Sequence, residues 1–293
     1  MLRIPSFGVK LTDLKNGLIT REWFRFLEAL YLEVQSMNSD FMLNVARGLV
    51  SGMRSVNKWG HAPSGMQTTL TDVWDRANAT PTQQIWLAPT AARVHALVST
   101  SASDDGSPAG VGARTVIVYG LTSWDTAETT ETVTLNGTAS VNTVNSYVII
   151  HRMAVATFGA SGPNVGTLTA TAATDATVTA AILPGNGRTE MAVYGVPSTQ
   201  TAYLSKFHAS INDGAATARV DFYGKVASDP ANFPAVFSLA RSFCMTNTGT
   251  GTYAEEFNPP MAIPGPCILK LSGIASAADI DASGGFDLIL IDN

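Results

Sequence analysis

The chain is poor in charge, in lysine and in cysteine. Only 14% of its residues are Asp, Glu, Lys or Arg, against roughly 25% in ordinary soluble domains. No lysine falls between Lys58 and Lys206. Thr, Ser, Asn and Gly must wet the surface instead. That choice suits crowded assemblies, where desolvating unmatched charge is unfavourable, and it suits extracellular or virion surfaces. Two cysteines, Cys244 and Cys267, are too few for a disulfide framework or a zinc site. Buried free thiols are expected, with pairing left open if two strands bring them together. His61, His95, His151 and His208 lie far apart, and no pair has metal-ligand spacing. No run reaches the roughly 20 apolar residues of a membrane span. Residues 1–20 carry Arg3, Lys10, Asp13 and Lys15 and lack the apolar run of a signal peptide. The expectation is a protein made in the cytoplasm that becomes part of something larger.

What is present is a long β-type text behind a short helical one. At 293 residues and 45% hydrophobic content the chain is large enough for two domains with real cores. Up to Gly60 eight basic residues face five acidic ones, a net of +3, so the remainder carries −8 of the total −5. The acidic body argues against nucleic-acid binding as the main role.

Residues 1–19 read as an extended arm broken by Pro5, Gly8 and Gly17. Thr20 is a credible N-cap, with Glu22 in the first turn. Trp23, Phe26, Leu27, Leu30, Tyr31 and Val34 then recur at three- and four-residue steps, one apolar stripe. A pause at 36–40 predicts a second helix capped by Ser39, with its stripe from Met42 to Val56. Phe24 adds aromatic area beside the first stripe, more than one helix face buries. Trp23, Phe24, Phe26, Leu27, Leu30 and Tyr31 are therefore the candidate docking residues, facing another chain. An intramolecular helical hairpin is the alternative. Residues 61–82 read as a connector, punctuated by Pro63, Gly65 and Pro81, with a buried-tryptophan look at Thr71-Asp72-Val73-Trp74-Asp75.

From Gln83 the period becomes two. Strands are predicted at 84–87, 93–99, 113–119, 129–135, 147–155, 167–172 and 177–183. Asp104-Asp105-Gly106, Asn136-Gly137, Ser161-Gly162-Pro163 and Pro184-Gly185-Asn186-Gly187 mark turns between them. From Arg188 the pattern restarts, with strands at 191–196, 202–211, 217–226, 236–242, 252–257, 268–272 and 286–291. No crossover helices separate them, so parallel βαβ units are excluded. The predicted fold is mainly β, a helical segment over 1–60 and a connector over 61–82 followed by two antiparallel β-sandwich modules of jelly-roll or immunoglobulin-like type, 83–185 and 186–293.

Several stretches together resemble virion structural proteins of short-tailed bacteriophages. They are Ile19-Thr20-Arg21-Glu22-Trp23-Phe24-Arg25-Phe26-Leu27, Thr71-Asp72-Val73-Trp74-Asp75, Ala113-Arg114-Thr115-Val116-Ile117-Val118-Tyr119-Gly120-Leu121, Glu131-Thr132-Val133-Thr134-Leu135-Asn136-Gly137 and the final 285–293 segment. The resemblance implies assembly into a phage particle at the tail, neck or capsid surface. It brings no catalytic or ligand positions with it.

Chemistry leaves few traces. Gly110-Val111-Gly112 precedes a strand and opens no helix, so it reads as a hairpin turn and not a dinucleotide loop. No Gly-x-Ser-x-Gly elbow is present. The carboxylate pairs Asp104/Asp105, Glu128/Glu131, Glu255/Glu256 and Asp279/Asp281 are the remaining enzymatic candidates, against a plain role as solvated turn acids. Asp279, Asp281 and Asp287 lack the spacing of a calcium loop. His95 and His151 read as partly buried strand residues. Among the tryptophans, Trp59, Trp74, Trp86 and Trp124, the last follows a probable loop and is the candidate surface contact for a glycan, with a core or interface role as the alternative. The expectation is a non-enzymatic virion component without cofactors, docked by its N-terminal helices to sister copies and to a portal, adaptor or tail protein. Capsid decoration, on the major capsid protein or as a head fibre, and host-glycan binding are the alternatives.

Overall fold

In the computed structural model, residues 9–12, 18–76, 83–211, 218–246 and 252–293 are described, the side chains of 33–40 and 63–64 excepted. The rest of the expected arm, most of the second half of the connector and Thr217 lie outside them. One helix, α1 (Arg21–Ala46), comes first. Then follow β1 (Met53–Met66), β2 (Thr71–Asp72), β3 (His95–Ser99), β4 (Ala113–Leu121), β5 (Thr129–Thr134), β6 (Val141–Asn142), β7 (Ile149–Phe158), β8 (Leu168–Ala172) and β9 (Thr177–Ile182). The remaining strands are β10 (Val193–Val196), β11 (Gln200–Ile211), β12 (Arg219–Ala227), β13 (Ser238–Thr246), β14 (Thr252–Pro264), β15 (Cys267–Ala275) and β16 (Ile280–Asp292). The chain divides into two compact units, Met1–Ser55 and Val56–Asn293.

The protein is mainly β, in several antiparallel sheets. Strands β3–β9 build two of them, in the orders β6-β3-β8-β9 and β5-β4-β7. β10–β16 build two more together with the early strands β1 and β2, in the orders β1-β16-β11-β14 and β10-β15-β12-β13, with β2 added against β15. Period-two burial explains the strands: β11 alternates buried and half-buried residues on either side of a bulge at Ser205. The apolar core runs as one cluster through residues on both sides of position 185, from Met66 and Trp86 to Phe286 and Leu290.

Three expectations need correction. The two predicted helices are one, and α1 passes through the apparent pause at 36–40 without a break. It stops at Ala46 because Gly48, at φ +70°, turns the chain left-handed and its N–H closes on the Val45 carbonyl. The stretch predicted as connector, and the second helix before it, instead contain β1, an edge strand. An edge tolerates Pro63, whose missing N–H has no ladder partner to lose. Finally, Gln84–Leu87 is not a strand but an extended segment held by side chains.

That segment is fixed by a buried charge. Asp72 is fully buried, and its carboxylate accepts from the Lys270 ammonium at 2.6 Å, the Ser272 hydroxyl at 2.5 Å and the Trp86 backbone N–H at 2.8 Å. The Trp86 indole, also fully buried, donates to the Thr179 carbonyl on β9 at 2.8 Å. A second buried carboxylate, Asp104, accepts from the backbone N–H groups of Ala113, Val165 and Gly166 and from the Ser99 hydroxyl. It ties three loops together and is not a solvated turn acid. The cysteines are unpaired. Cys267 is buried, which pushes its thiol up to about 12, whereas Cys244 is exposed on β13, contrary to expectation.

Two consequences are measurable. Asp72→Ala leaves the Lys270 charge buried and uncompensated, so urea denaturation should show a loss of about 3–5 kcal/mol. Adding Lys270→Met should recover part of it. Separately, burial pushes the Asp75 carboxyl up to about 8, its Glu190 backbone hydrogen bond opposing and the Glu190 charge assisting. The folded state then holds more protons than the unfolded one between about pH 4 and pH 8, so this group's stabilisation is lost as pH rises through that window. Asp75→Asn should gain on the wild type in denaturation measurements from pH 5 to pH 8, whatever its offset at pH 5.

Candidate docking surface

In the unit Met1–Ser55 the described residues 9–12 lie against residues 18–23. Thr12 and Ile19 form an antiparallel bridge, and the Thr20 N–H donates to the Leu11 carbonyl at 3.0 Å. Thr20 holds the N-cap position, but its hydroxyl donates to the Lys10 carbonyl at 2.9 Å instead of serving the helix. The Trp23 indole donates to the Val9 carbonyl at 3.0 Å, and its ring meets Phe26 edge-on at 5.6 Å. Trp23 and Phe26 are thus half-buried within the unit itself.

The other four candidate residues are exposed: Phe24 at 58%, Tyr31 at 63%, and Leu27 and Leu30 at about 40% and 38%. Phe41, Met42 and Leu43 continue the exposed apolar surface toward the helix end. Because α1 is unbroken, positions 23, 27, 30, 34, 37 and 41 fall on one face in alternating steps of four and three. That is a heptad spacing. Phe24, Phe26 and Tyr31 flank it, making the strip wider than a strict two-position seam. An exposed apolar helix face of this breadth is a candidate surface for another chain. Removing each such side chain from water contributes roughly 1.5–3 kcal/mol.

The other sequence candidates lie in the unit Val56–Asn293. Trp124, the candidate surface contact, takes the core role weighed against it: it is half-buried against the core with its indole beside Gly195. Sequence reading placed it in a loop, correctly, but a loop tryptophan still packs inward when a glycine opposite leaves room. The carboxylates are each committed elsewhere. Glu128 pairs with His151 at 2.6 Å, and Glu131 accepts from the backbone N–H groups of Val144 and Asn145. Glu255 pairs with Arg241 and Glu256 with Lys206. Asp279 accepts from Gln67, and Asp281 meets His61 at 2.7 Å. Among the described residues no group of three or more His, Cys, Asp or Glu is placed to hold a metal ion. His95 and His151 are fully buried, further than predicted. His95 donates from Nδ1 to the Arg93 carbonyl at 2.9 Å, and burial lowers it to about 4. The Lys58 ammonium reaches the His151 carbonyl at 2.5 Å, and burial together with the Arg152 charge lowers it to about 7.

No family model matches the chain, and no curated protein matches it. A solved structure, the 2.6 Å structure of infectious bursal virus derived T=1 particles, is similar over 82% of this chain and 69% of its own, at 11% identity and a TM-score of 0.20. A likeness at that score carries no argument about fold or role. Among the described residues no helix is long and apolar enough to cross a membrane.

The division of labour on α1 is testable. Trp23→Ala removes the tie to Val9, so trypsin should cleave after Lys10 several-fold faster than in the wild type. Phe24→Ala, which touches no such tie, should leave that cleavage rate unchanged.

Proposed function

We propose that this protein is a non-enzymatic structural component of a tailed-phage virion, docked through α1 to sister copies and to a neighbouring tail or neck protein. The observation that carries the reading is the exposed apolar strip of Phe24, Leu27, Leu30 and Tyr31 on an unbroken 26-residue helix. A strip with heptad spacing is complementary to a second copy of itself, which favours a homo-oligomer. The β body fits a display role in the same reading, with β3–β9 in one pair of sheets and β1, β2 and β10–β16 in another. Its charge-poor surface suits close packing of many copies. The phage assignment itself rests on the resemblance of the sequence stretches from Ile19 to Asn293.

Light scattering on the full chain tests the assembly step. The wild type should be oligomeric, and a variant carrying Phe24→Ser, Leu27→Ser, Leu30→Ser and Tyr31→Ser should be a folded monomer. An oligomer that survives these substitutions places the subunit contacts elsewhere. A monomeric wild type removes self-association and leaves docking to a different protein. Mass spectrometry of purified particles tests the virion step: the wild-type chain should be recovered in them and the fourfold variant should be absent.

A further inference from the structure

The outward face of the sheet β1-β16-β11-β14 carries a cavity of about 410 Å³. Its volume lies in the roughly 300–1,000 Å³ range of small-ligand sites. Alternation on β1 builds it: Lys58 and Gly60 point inward and are buried, so Asn57 and Trp59 point out. On β11 the same alternation turns Lys206, His208 and Ser210 to this face while Phe207 and Ala209 enter the core.

The centre of the face is a trough. His208 is flanked in register by Gly285 on β16 and Ala254 on β14, both too small to fill the space beside it. Gly285 is required there, since a Cβ would lie 1.8 Å from the Lys58 carbonyl and 2.9 Å from the His208 ring. Across this gap the Trp59 indole stacks on His208, with centroids 4.9 Å apart and planes 29° apart. Trp59 remains 56% exposed. One ring face is therefore held by His208, and the side chain keeps a large apolar surface open to the solvent. Burial lowers His208, so the imidazole beneath the indole is neutral at physiological pH.

Polar groups surround the platform. The Asn57 amide donates to the Asp287 carboxylate at 2.8 Å, which fixes both planar groups at the rim. Lys206 is balanced by Glu256 at 3.7 Å. The Ser210, Thr252 and Ser283 side chains belong to the same lining. Lys206 is thus balanced by Glu256 and the Asp287 carboxylate is held by a neutral amide, so no cluster of either sign is present to select a phosphate or a polycation. A fixed aromatic plane with amide, carboxylate, ammonium and hydroxyl groups around it matches a ring that has an apolar C–H face and hydroxyls at its edge.

We infer that this trough is a saccharide-binding site, with Trp59 as the stacking platform for a neutral pyranose and Asn57, Asp287 and Lys206 as its hydroxyl partners. This inference is independent of the docking role of α1, and it places glycan recognition on a sheet face instead of the loop around Trp124.

The test uses the full chain with four trisaccharides at millimolar concentration: chitotriose, maltotriose, a β-1,4-linked galactose trimer and an α-1,6-linked mannose trimer. Saturation-transfer NMR identifies any binder and calorimetry gives its affinity. At least one should bind, Trp59→Ala should weaken it about tenfold or more, and Trp59→Phe should keep part of the affinity. Asn57→Ala should also weaken binding, and it carries the test if Trp59→Ala does not fold. The fourfold serine variant of α1 should bind as the wild type does, which separates this site from the docking reading. Binding that survives Trp59→Ala and Asn57→Ala overturns the inference, and so does the absence of binding across the panel.

Discussion

Asp72 carries a buried carboxylate on which three separated segments converge. Its own strand β2, the Trp86 segment and β15 meet there through one ammonium, one hydroxyl and one backbone N–H. A charge taken out of water is tolerated only when its lone pairs are used by well-placed donors. Here the donors come from residues about 14 and 200 positions away in sequence. The carboxylate is satisfied only when those segments are in register, so it acts as a registration device more than as a source of stability. Trp86 extends the effect, since one end is bound to Asp72 and the indole to β9. Asp104 repeats the logic among the loops before β4 and β8 with three backbone N–H groups. In a chain with few charges, two of them are placed where loops have no ladder to satisfy their backbone.

Most of the β pattern was legible because alternation and turn chemistry are local. Thirteen of the fourteen predicted strands overlap observed ones, and the turn glycines Gly137, Gly162, Gly185 and Gly187 all have positive φ. What failed was non-local. Gly60, Pro63 and Gly65 look like breakers in sequence, yet at a sheet edge they sit within β1. Gln84–Leu87 has strand composition, but its backbone is claimed by Asp72. The polar residues at 36–40 read as a gap although the helix continues, because Ser, Asn and Asp weaken helix propensity by less than the flanking turns supply.

The same distinction separates the site residues. Phe24, Leu27, Leu30 and Tyr31 were legible because a helix face is set by spacing alone. Trp23 and Phe26 satisfied the spacing too, but Val9, unreadable from periodicity, ties down Trp23, whose ring meets Phe26. Between the tryptophans, the choice of Trp124 rested on its loop position, while Trp59 was read as part of the stretch between helix and connector. Exposure followed a different variable: which side of its strand each residue occupies and what lies opposite. Lys58, the neighbour of Trp59, gave the missing signal. A lysine whose charged end is drawn inward to a backbone carbonyl forces the next residue outward.

A surface with few charges also constrains how this chain recognises anything. Long-range electrostatic steering needs a field, and around the trough Lys206 is balanced by Glu256 while Asp287 is held by the Asn57 amide. In the proposed reading, recognition comes from contact instead: apolar area on α1 and a stacked ring on the sheet face. In the trough the aromatic is already held by a second group, Trp59 by His208. Holding a ring before a partner arrives removes the rotamer entropy that would otherwise be lost on contact. In the trough the β-sheet supplies that rigidity, and the small residues Gly285 and Ala254 supply the space. The geometry follows from the same period-two pattern that folds the core.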